Sequence, residues 1–319
     1  MSNLFPVPDT LRRAEYARLF FQLEAREYFD LPPLALQRLR REFRQAVRYF
    51  GDSGDQLLTA QLNGLLAPPP PDDLKLRKLV QKPAPPFVLS PDPQRVGLVE
   101  PGEWLELPVL FLGSGIRMID PFARMLQQVG RQGLVNGQGK CALATVEVED
   151  ASGRRTTLWN GGPLEGALLP VVNDLCWWLE LQPPEWDNLT LTFRSPLRLM
   201  RGGKPLFKSN FAELFPFVLR RVTAMLAGHC QVETVTDPST LLDAAFRVEE
   251  CANRLQWRDW RSLTADDGGQ DLGGLSGTLD LSGSDLADLL WVLRLGSLLQ
   301  VGKGAPYGAG HYLISRRNG

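Results

Sequence analysis

Two stretches of this chain set glycines in the same unusual order. Gly133-x-x-x-Gly137-x-Gly139 lies between a helical apolar pattern and an alternating one, and Gly304-x-x-x-Gly308-x-Gly310 does so again. Glycine takes positive φ without penalty and lets one backbone approach another closely. The same spacing at the same station of both halves implies two copies of one supersecondary unit. No other feature restricts the fold as tightly.

The segments around the glycines agree. In the first half, Tyr16 to Glu24 (YARLFFQLE) reads as a strand, and Leu31-Pro32-Pro33 opens a helix, since proline is tolerated in a first helical turn. Leu36, Leu39, Phe43, Val47 and Phe50 recur along it at three- and four-residue intervals, with Arg41, Arg44 and Arg48 on another face. The proline-rich passages 67–73 and 82–87 read as extended surface chain. Strands follow at Phe87 to Leu89 and Glu103 to Leu112, where Pro108 implies an edge or a bulge. Asp120 caps a helix from Pro121 to Val129, and Cys141 to Glu149 alternates as a half-buried strand does. The order β-α-β-β-α-β is the ferredoxin-like pattern.

The second half repeats that order. It has a strand from Leu189 to Leu199, a helix from Phe211 to Ala227 interrupted near its start by Pro216, and a strand-rich stretch from Ala245 to Trp260. A strand from Gly277 to Leu281, a helix capped by Ser284 or Asp285 and reaching Leu295, and a strand from His311 to Ser315 complete it. The predicted class is α+β, with two tandem ferredoxin-like (βαββαβ) domains at residues 1–152 and 188–319. Residues 153–187, rich in tryptophan, are predicted to form an inserted hairpin and connector. A chain of 319 residues with 44% hydrophobic content can bury two such cores.

Charge is informative only locally. Lys and Arg number 35 against 36 Asp and Glu, yet seven basic residues and the single acid Glu213 fall between Leu191 and Arg221. Leu36 to Tyr49 carries five arginines against Glu42. Such blocks suit a polyanion even in a neutral protein. Cys141, Cys176, Cys230 and Cys251 show no metal or disulfide spacing and read as buried free thiols in a reducing compartment. With no apolar leader at the N-terminus and no run long enough to span a bilayer, a cytoplasmic protein without membrane association is expected.

The second glycine loop, VGKGAPYGAGHYLIS from Val301 to Ser315, raises the question of a phosphate. A mononucleotide P-loop and a dinucleotide fingerprint both need a strand before the glycines and a helix after them. Here the order is helix, loop, strand, so both are excluded. What remains is either a tight turn for its own sake or a loop whose bare backbone meets an anion beside Lys303, and an RNA backbone fits the latter better than a small cofactor. Candidate phosphate contacts are Gly302, Lys303, Gly304, Gly308 and Gly310, with Arg194, Arg198, Arg201, Lys204, Arg41 and Arg44. His229, at a helix end, reads as a partner for free carbonyls. Trp257 and Trp260 flank Arg258 and Asp259 on opposite faces of a strand, so one of them is core and the other could stack a base.

The whole set resembles the CRISPR-associated endoribonucleases that cut precursor CRISPR RNA, members of the RAMP superfamily. The resemblance rests on LPPLALQRLRREFRQAV at Leu31 to Val47, PPFVL, SPLRL at Ser195 to Leu199, LQWRDWRS at Leu255 to Ser262, LGGLSGTLDLSG at Leu272 to Gly283 and LLQVGKGAPYGAGHYLI at Leu298 to Ile314. It implies a CRISPR repeat RNA as partner, other CRISPR effector subunits as further partners, and a reaction that needs no metal or cofactor. In that reaction the ribose 2′-OH attacks the adjacent phosphate and leaves 2′,3′-cyclic phosphate and 5′-OH ends. Its catalytic candidates are His311, at the junction of loop and strand, and Tyr28, before the first helix. The chain departs from the family at Gln45, where active members carry a histidine in the first helix, and at Gln300, where many relatives begin the loop with one. A non-catalytic subunit holding the repeat handle is the alternative.

Overall fold

The computed structural model of the chain describes residues 7–80, 82–164, 166, 168–182, 186–259 and 273–317. The chain divides into two compact units, Thr10–Leu181 with Ala224–Val232, and Met1–Asp9 with Gln182–Thr223 and Glu233–Gly319.

In the first unit the long strand β1 (Glu15–Ala25) is followed by the short β2 (Phe29–Leu31). Three helices come next, α1 (Arg40–Asp52), α2 (Gln56–Leu66) and α3 (Leu74–Leu79). Then come β3 (Phe87–Leu89), β4 (Gly97–Val99), β5 (Trp104–Leu112), α4 (Ile119–Gln132) and β6 (Cys141–Glu149). The sheet order is β3-β5-β1-β6, and every neighbouring pair is antiparallel. Each helix-linked pair of parallel strands therefore has another strand between its members, which is the split βαβ arrangement of a ferredoxin-like domain. Strands β7 (Arg155–Trp159) and β8 (Asn173–Asp174) extend the sheet, and the short helix α5 (Leu175–Glu180) follows.

Alternation decides which face of this sheet is wet. Leu19, Phe21 and Leu23 of β1 are fully buried, and Phe21 meets the helical layer at Phe122 of α4. Phe122 is the centre of the core. Its ring lies 5.5 Å from Phe21, 5.5 Å from Phe43 of α1, 5.4 Å from Phe87 and 5.2 Å from Phe111, mostly edge to face. Aromatic pairs in that arrangement add to the area they bury. On the opposite face Phe20 lies under the Arg155 guanidinium, 3.3 Å from its ring centroid, within a lattice of ion pairs. Arg155 reaches Glu106 at 2.8 Å, Arg18 reaches Glu149 at 2.8 Å, and Gln22 donates to Glu106 at 2.7 Å.

The second unit repeats the topology. β9 (Asn188–Leu197), a small hairpin of β10 (Met200–Arg201) and β11 (Lys204–Pro205), helices α6 (Phe211–Met225) and α7 (Ser239–Arg247), and β12 (Glu249–Asn253) come first. β13 (Gln256–Arg258), β14 (Gly274–Ser282), α8 (Leu286–Leu299) and β15 (Tyr312–Arg316) follow. The sheet order is β12-β14-β9-β15, again antiparallel throughout. Both ferredoxin-like folds expected from the segment order are present.

Several details differ from the expectation. The first long helix begins at Arg40 rather than at the prolines, because Leu34 takes a left-handed φ of 59° and opens a short 3₁₀ turn over Ala35–Gln37. The proline-rich stretch contains α3, capped by the Asp73 carboxylate, which accepts from Leu76 N at 2.8 Å. Pro108 sits inside the sheet with no bulge. Its carbonyl takes the Ser90 amide at 2.9 Å, just where β3 ends, so the proline's missing N–H faces a position with no strand to need it. Asp120 lies within the first turn of α4 and accepts from Gly166 N rather than capping. Part of the expected connector, β7, is an edge strand of the first sheet, and Ala245 to Arg247 are helical. Pro216 falls inside α6 without ending it.

The thiols also divide. Cys141 and Cys176 are buried and Cys251 is exposed on β12, contrary to the expectation that all four are buried. Burial pushes the Cys141 and Cys230 thiols up to about 12 and that of Cys176 to about 11. A thiol-specific disulfide reagent at pH 7.5 is therefore expected to modify Cys251 quickly and the other three only after denaturation. Truncating Phe122 to alanine is expected to cost about 3–5 kcal/mol of unfolding free energy in urea titration, since four rings lose their common partner.

Candidate nucleic-acid interface

The candidate residues on the second unit gather where β9 ends and the second glycine loop begins. The loop follows α8, whose final carbonyls are capped by a side chain. Arg221 donates from Nη2 to the Leu299 carbonyl at 3.1 Å and from Nε to that of Gln300 at 3.2 Å. A guanidinium at a helix C-terminus satisfies orphan carbonyls and opposes the dipole. Burial lowers its pKa to about 10, which leaves it charged at neutral pH. Arg221 thus serves the fold and leaves the basic strip in which the sequence placed it.

Within the loop nearly every amide is used. Lys303 N donates to the Arg198 carbonyl at 2.8 Å and Gly310 N to that of Pro196 at 3.0 Å, so the loop is laced to the end of β9. The buried Ser195 hydroxyl accepts from His311 N at 2.8 Å and donates to the Gly308 carbonyl at 2.7 Å. Gly302, Gly304, Gly308 and Gly310 have φ of 93°, 89°, 99° and 70°, where L side chains are strained. Two of them are also pressed against backbone. A Cβ on Gly310 would lie 1.7 Å from the Val301 oxygen, and one on Gly302 would lie 2.6 Å from the Arg198 oxygen. Gly304 is different: it is exposed, and its nearest neighbour would be Ala309 Cβ at 3.2 Å.

Two amides are left over. Those of Gly302 and Gly304 have no intrachain acceptor among the described residues. Between them stands Lys303, exposed and without an ion-pair partner among those residues. Two N–H groups without an intrachain acceptor on either side of a cation have the chemistry of an anion receptor.

The first unit shows what such a loop does with an anion. Gly133, Gly137 and Gly139 also have positive φ, of 100°, 85° and 75°. There the Glu27 carboxylate accepts from Gly139 N at 2.9 Å and from Lys140 N at 3.1 Å. The matching amides of the second unit, Gly310 and His311, go instead to Pro196 and Ser195. The first loop is closed by its own chain.

Beside the second loop, the β15–β9 register sets His311 opposite Arg194, whose amide donates to the His311 carbonyl at 2.9 Å. Both side chains lie on the sheet face turned away from the helices, with Thr192 and the exposed Leu313. Arg194 is exposed and His311 half-buried. On the β10–β11 hairpin a Gly202-Gly203 turn, with φ of 57° and 78°, makes a two-residue connection of the primed type. It sets Arg201 across from Lys204. Arg201 also meets Glu213 at 3.3 Å, whereas Lys204 is exposed and has no ion-pair partner among the described residues.

Tyr28, Arg41 and Arg44 belong to the first unit. Tyr28 is 67% exposed, Arg44 is exposed, and Arg41 is held against Glu42 at 3.0 Å. His229, in the same unit, is structural. Its Nε2 donates to the Ala84 carbonyl at 2.9 Å, which leaves Nδ1 facing the Ser114 hydroxyl at 3.4 Å. Gln300 is fully buried and presents nothing to a ligand. Trp260 lies outside the described residues.

Comparison with known proteins follows the same division. Residues 11–170 match the family AF_1859_N, an N-terminal domain. Residues 191–312, which hold the whole loop and its anchoring strand, match the CRISPR-associated endoribonuclease Cas6 family. Residues 191–312 are thus those of a Cas6-type domain. A Cas6 product complex shares the fold with a TM-score of 0.54 at 17% identity, over 94% of this chain and 99% of that one. Thermus thermophilus Cas6 gives 0.53 at 16%, over 95% and 99%. A partial Cas6-RT-Cas1–Cas2 complex gives 0.55 at 14%, over 95% of this chain and 46% of that one. No curated protein matches the chain by sequence. Among the described residues no helix is long and apolar enough to cross a membrane.

Three working residues carried little signal in the sequence. Ser195 alone had one: it is the polar member of the inward-facing series Leu189, Leu191, Phe193, Ser195, Leu197. Arg221 hid in the basic strip, and nothing local marks Glu27. The loop's division of labour is testable by chemical denaturation. Gly310→Ala is expected to cost at least about 3 kcal/mol, from strain and a backbone clash together. Gly304→Asn, a side chain that tolerates positive φ, is expected to cost about 1 kcal/mol and leave the protein folded.

Proposed function

We propose that this protein cuts precursor CRISPR RNA within its repeat, without a metal ion, through attack of a ribose 2′-OH on the neighbouring phosphate. The observation that carries the reading is the anion receptor at Gly302, Lys303 and Gly304, on the same loop that ends at His311. A phosphate there accepts from the two amides and is neutralised by Lys303. Arg194 supplies a second cation beside the imidazole. As the 2′ oxygen bonds to phosphorus, its proton passes to a base and a pentacovalent phosphorane forms. The bond to the 5′ oxygen then breaks, and that oxygen takes a proton from an acid. His311 is the group suited to one of these transfers near neutral pH. Because the nucleophile belongs to the RNA, holding the phosphate in line supplies much of the rate. Tyr28, Arg41 and Arg44 on the first unit, and Arg198, Arg201 and Lys204 on the second, are assigned to positioning the strand. Subunits of a CRISPR effector complex are the protein partners this function implies.

Incubating the protein with repeat RNA in EDTA tests the proposal. Shorter products ending in 2′,3′-cyclic phosphate are expected, whereas tight binding without cleavage would leave the role of a handle-holding subunit. The histidine-free first helix, with the exposed Gln45 in place of a titratable base, favours that second role. His311→Ala is expected to slow single-turnover cleavage by about 10²–10⁴ with little change in affinity. Lys303→Ala is expected to weaken binding and to flatten its dependence on salt, since it removes one cation from the phosphate contact. Gly304→Asn, which keeps the amide and the charge but adds a side chain at the contact, is expected to weaken binding with that dependence unchanged.

A further inference from the structure

On the second unit an aromatic pair stands in the open. Phe207, just beyond β11, is 58% exposed, and its ring lies 4.6 Å from that of Trp257 on β13, tilted by 60°. Trp257 is the anchored member. It pairs with Leu275 of β14 and is half-buried, and its ring fills the place a side chain of residue 273 would need: a Cβ on Gly273 would come within 2.7 Å of it. Phe207 is therefore backed by a fixed ring and keeps most of its own surface in water. An exposed phenylalanine has no reason to be held this way by the core, which it does not join.

Its chain neighbours are cationic. Lys208 is the next residue and Lys204 lies three before it on the hairpin. Both are exposed, and neither has an ion-pair partner among the described residues. Arg258 follows Trp257 and therefore alternates to the other face of β13. Asp259 is the acid next along the strand, close to Gly273. A fixed apolar ring with two exposed lysines beside it in the chain matches the two parts of a nucleotide: a base to stack and a phosphate to neutralise.

We propose that Phe207, supported by Trp257, is a stacking site for one unpaired nucleobase of a single-stranded RNA, whose flanking phosphates are held by Lys204 and Lys208. The site rests on the RNA-binding reading of the chain but not on its cleaving anything. Stacking tolerates any base, since each presents a π-face, so the site fixes the path of the strand rather than its sequence. The Arg201–Lys204 pairing on the β10–β11 hairpin places one of these phosphate contacts on the rigid turn that also displays the candidate contact Arg201.

The experiment uses the full-length protein and an eight-nucleotide uridine RNA carrying one 2-aminopurine. An eight-unit oligonucleotide in which every base is replaced by an abasic ribose is the control. Stacking should quench the 2-aminopurine fluorescence on binding. Phe207→Leu, which keeps an apolar side chain but no ring, should abolish the quenching. It should weaken binding about 5- to 100-fold, the range expected for loss of one base–aromatic contact. Phe207→Tyr should retain both. The abasic oligonucleotide should bind wild type and Phe207→Leu alike, and Lys204→Glu with Lys208→Glu should weaken both oligonucleotides. Equal affinity and equal quenching in Phe207→Leu, with the melting temperature unchanged, would overturn the site and leave the pair as a surface for protein contacts. Failure of repeat cleavage with the quenching intact would instead remove the nuclease reading and keep the stacking site.

Discussion

One buried hydroxyl holds the candidate site in place. Ser195 lies on the core-facing side of β9, where the inward residues before and after it are Phe193 and Leu197, and it is almost fully enclosed. Its oxygen accepts from the His311 amide and its O–H donates to the Gly308 carbonyl, so one inward position near the end of the strand fixes both the middle and the end of the loop. A buried hydroxyl is tolerable only when it is bonded, and this one is used as donor and as acceptor. The glycines permit the path of the loop, and Ser195 selects it. Arg221 does the same at the other end by engaging the carbonyls where α8 stops. The position of His311, opposite Arg194 on the open side of the sheet, follows from that anchoring.

The two units show how one topology can carry different surfaces. The open face of the first sheet is covered by interlocked acids and arginines around Phe20, and the carboxylates of Glu106 and Glu149 discourage a polyanion there. In the second unit the same face presents Thr192, Arg194 and His311. Fold alone does not decide function. The residues that alternate outward on β1 and β9 do.

Long, strongly patterned elements were legible in the sequence. β1, β5, β6, β14 and α4 stand where alternation or a three-to-four spacing put them, because each buries one face against a single core. The short β2 and β4 were not legible, since three residues carry no period and their pairing joins positions far apart in the chain. The start of α1 was misplaced because the left-handed turn at Leu34 has no glycine to announce it. In the loop the glycines were readable as a group, but which of them faced backbone and which faced water was not. That depends on where Pro196 and Arg198 lie, and no local pattern encodes it.

Glu27 makes the duplication unequal. Its carboxylate closes the end of the first loop at the Gly139 and Lys140 amides, whereas the matching amides of the second loop end on the Pro196 carbonyl and the Ser195 hydroxyl. One pair of equivalent donors is thus served by a charged group in the first unit and by neutral oxygens in the second. The two copies share a backbone path but not an electrostatic one: the end of the first loop carries an acid that the end of the second does without.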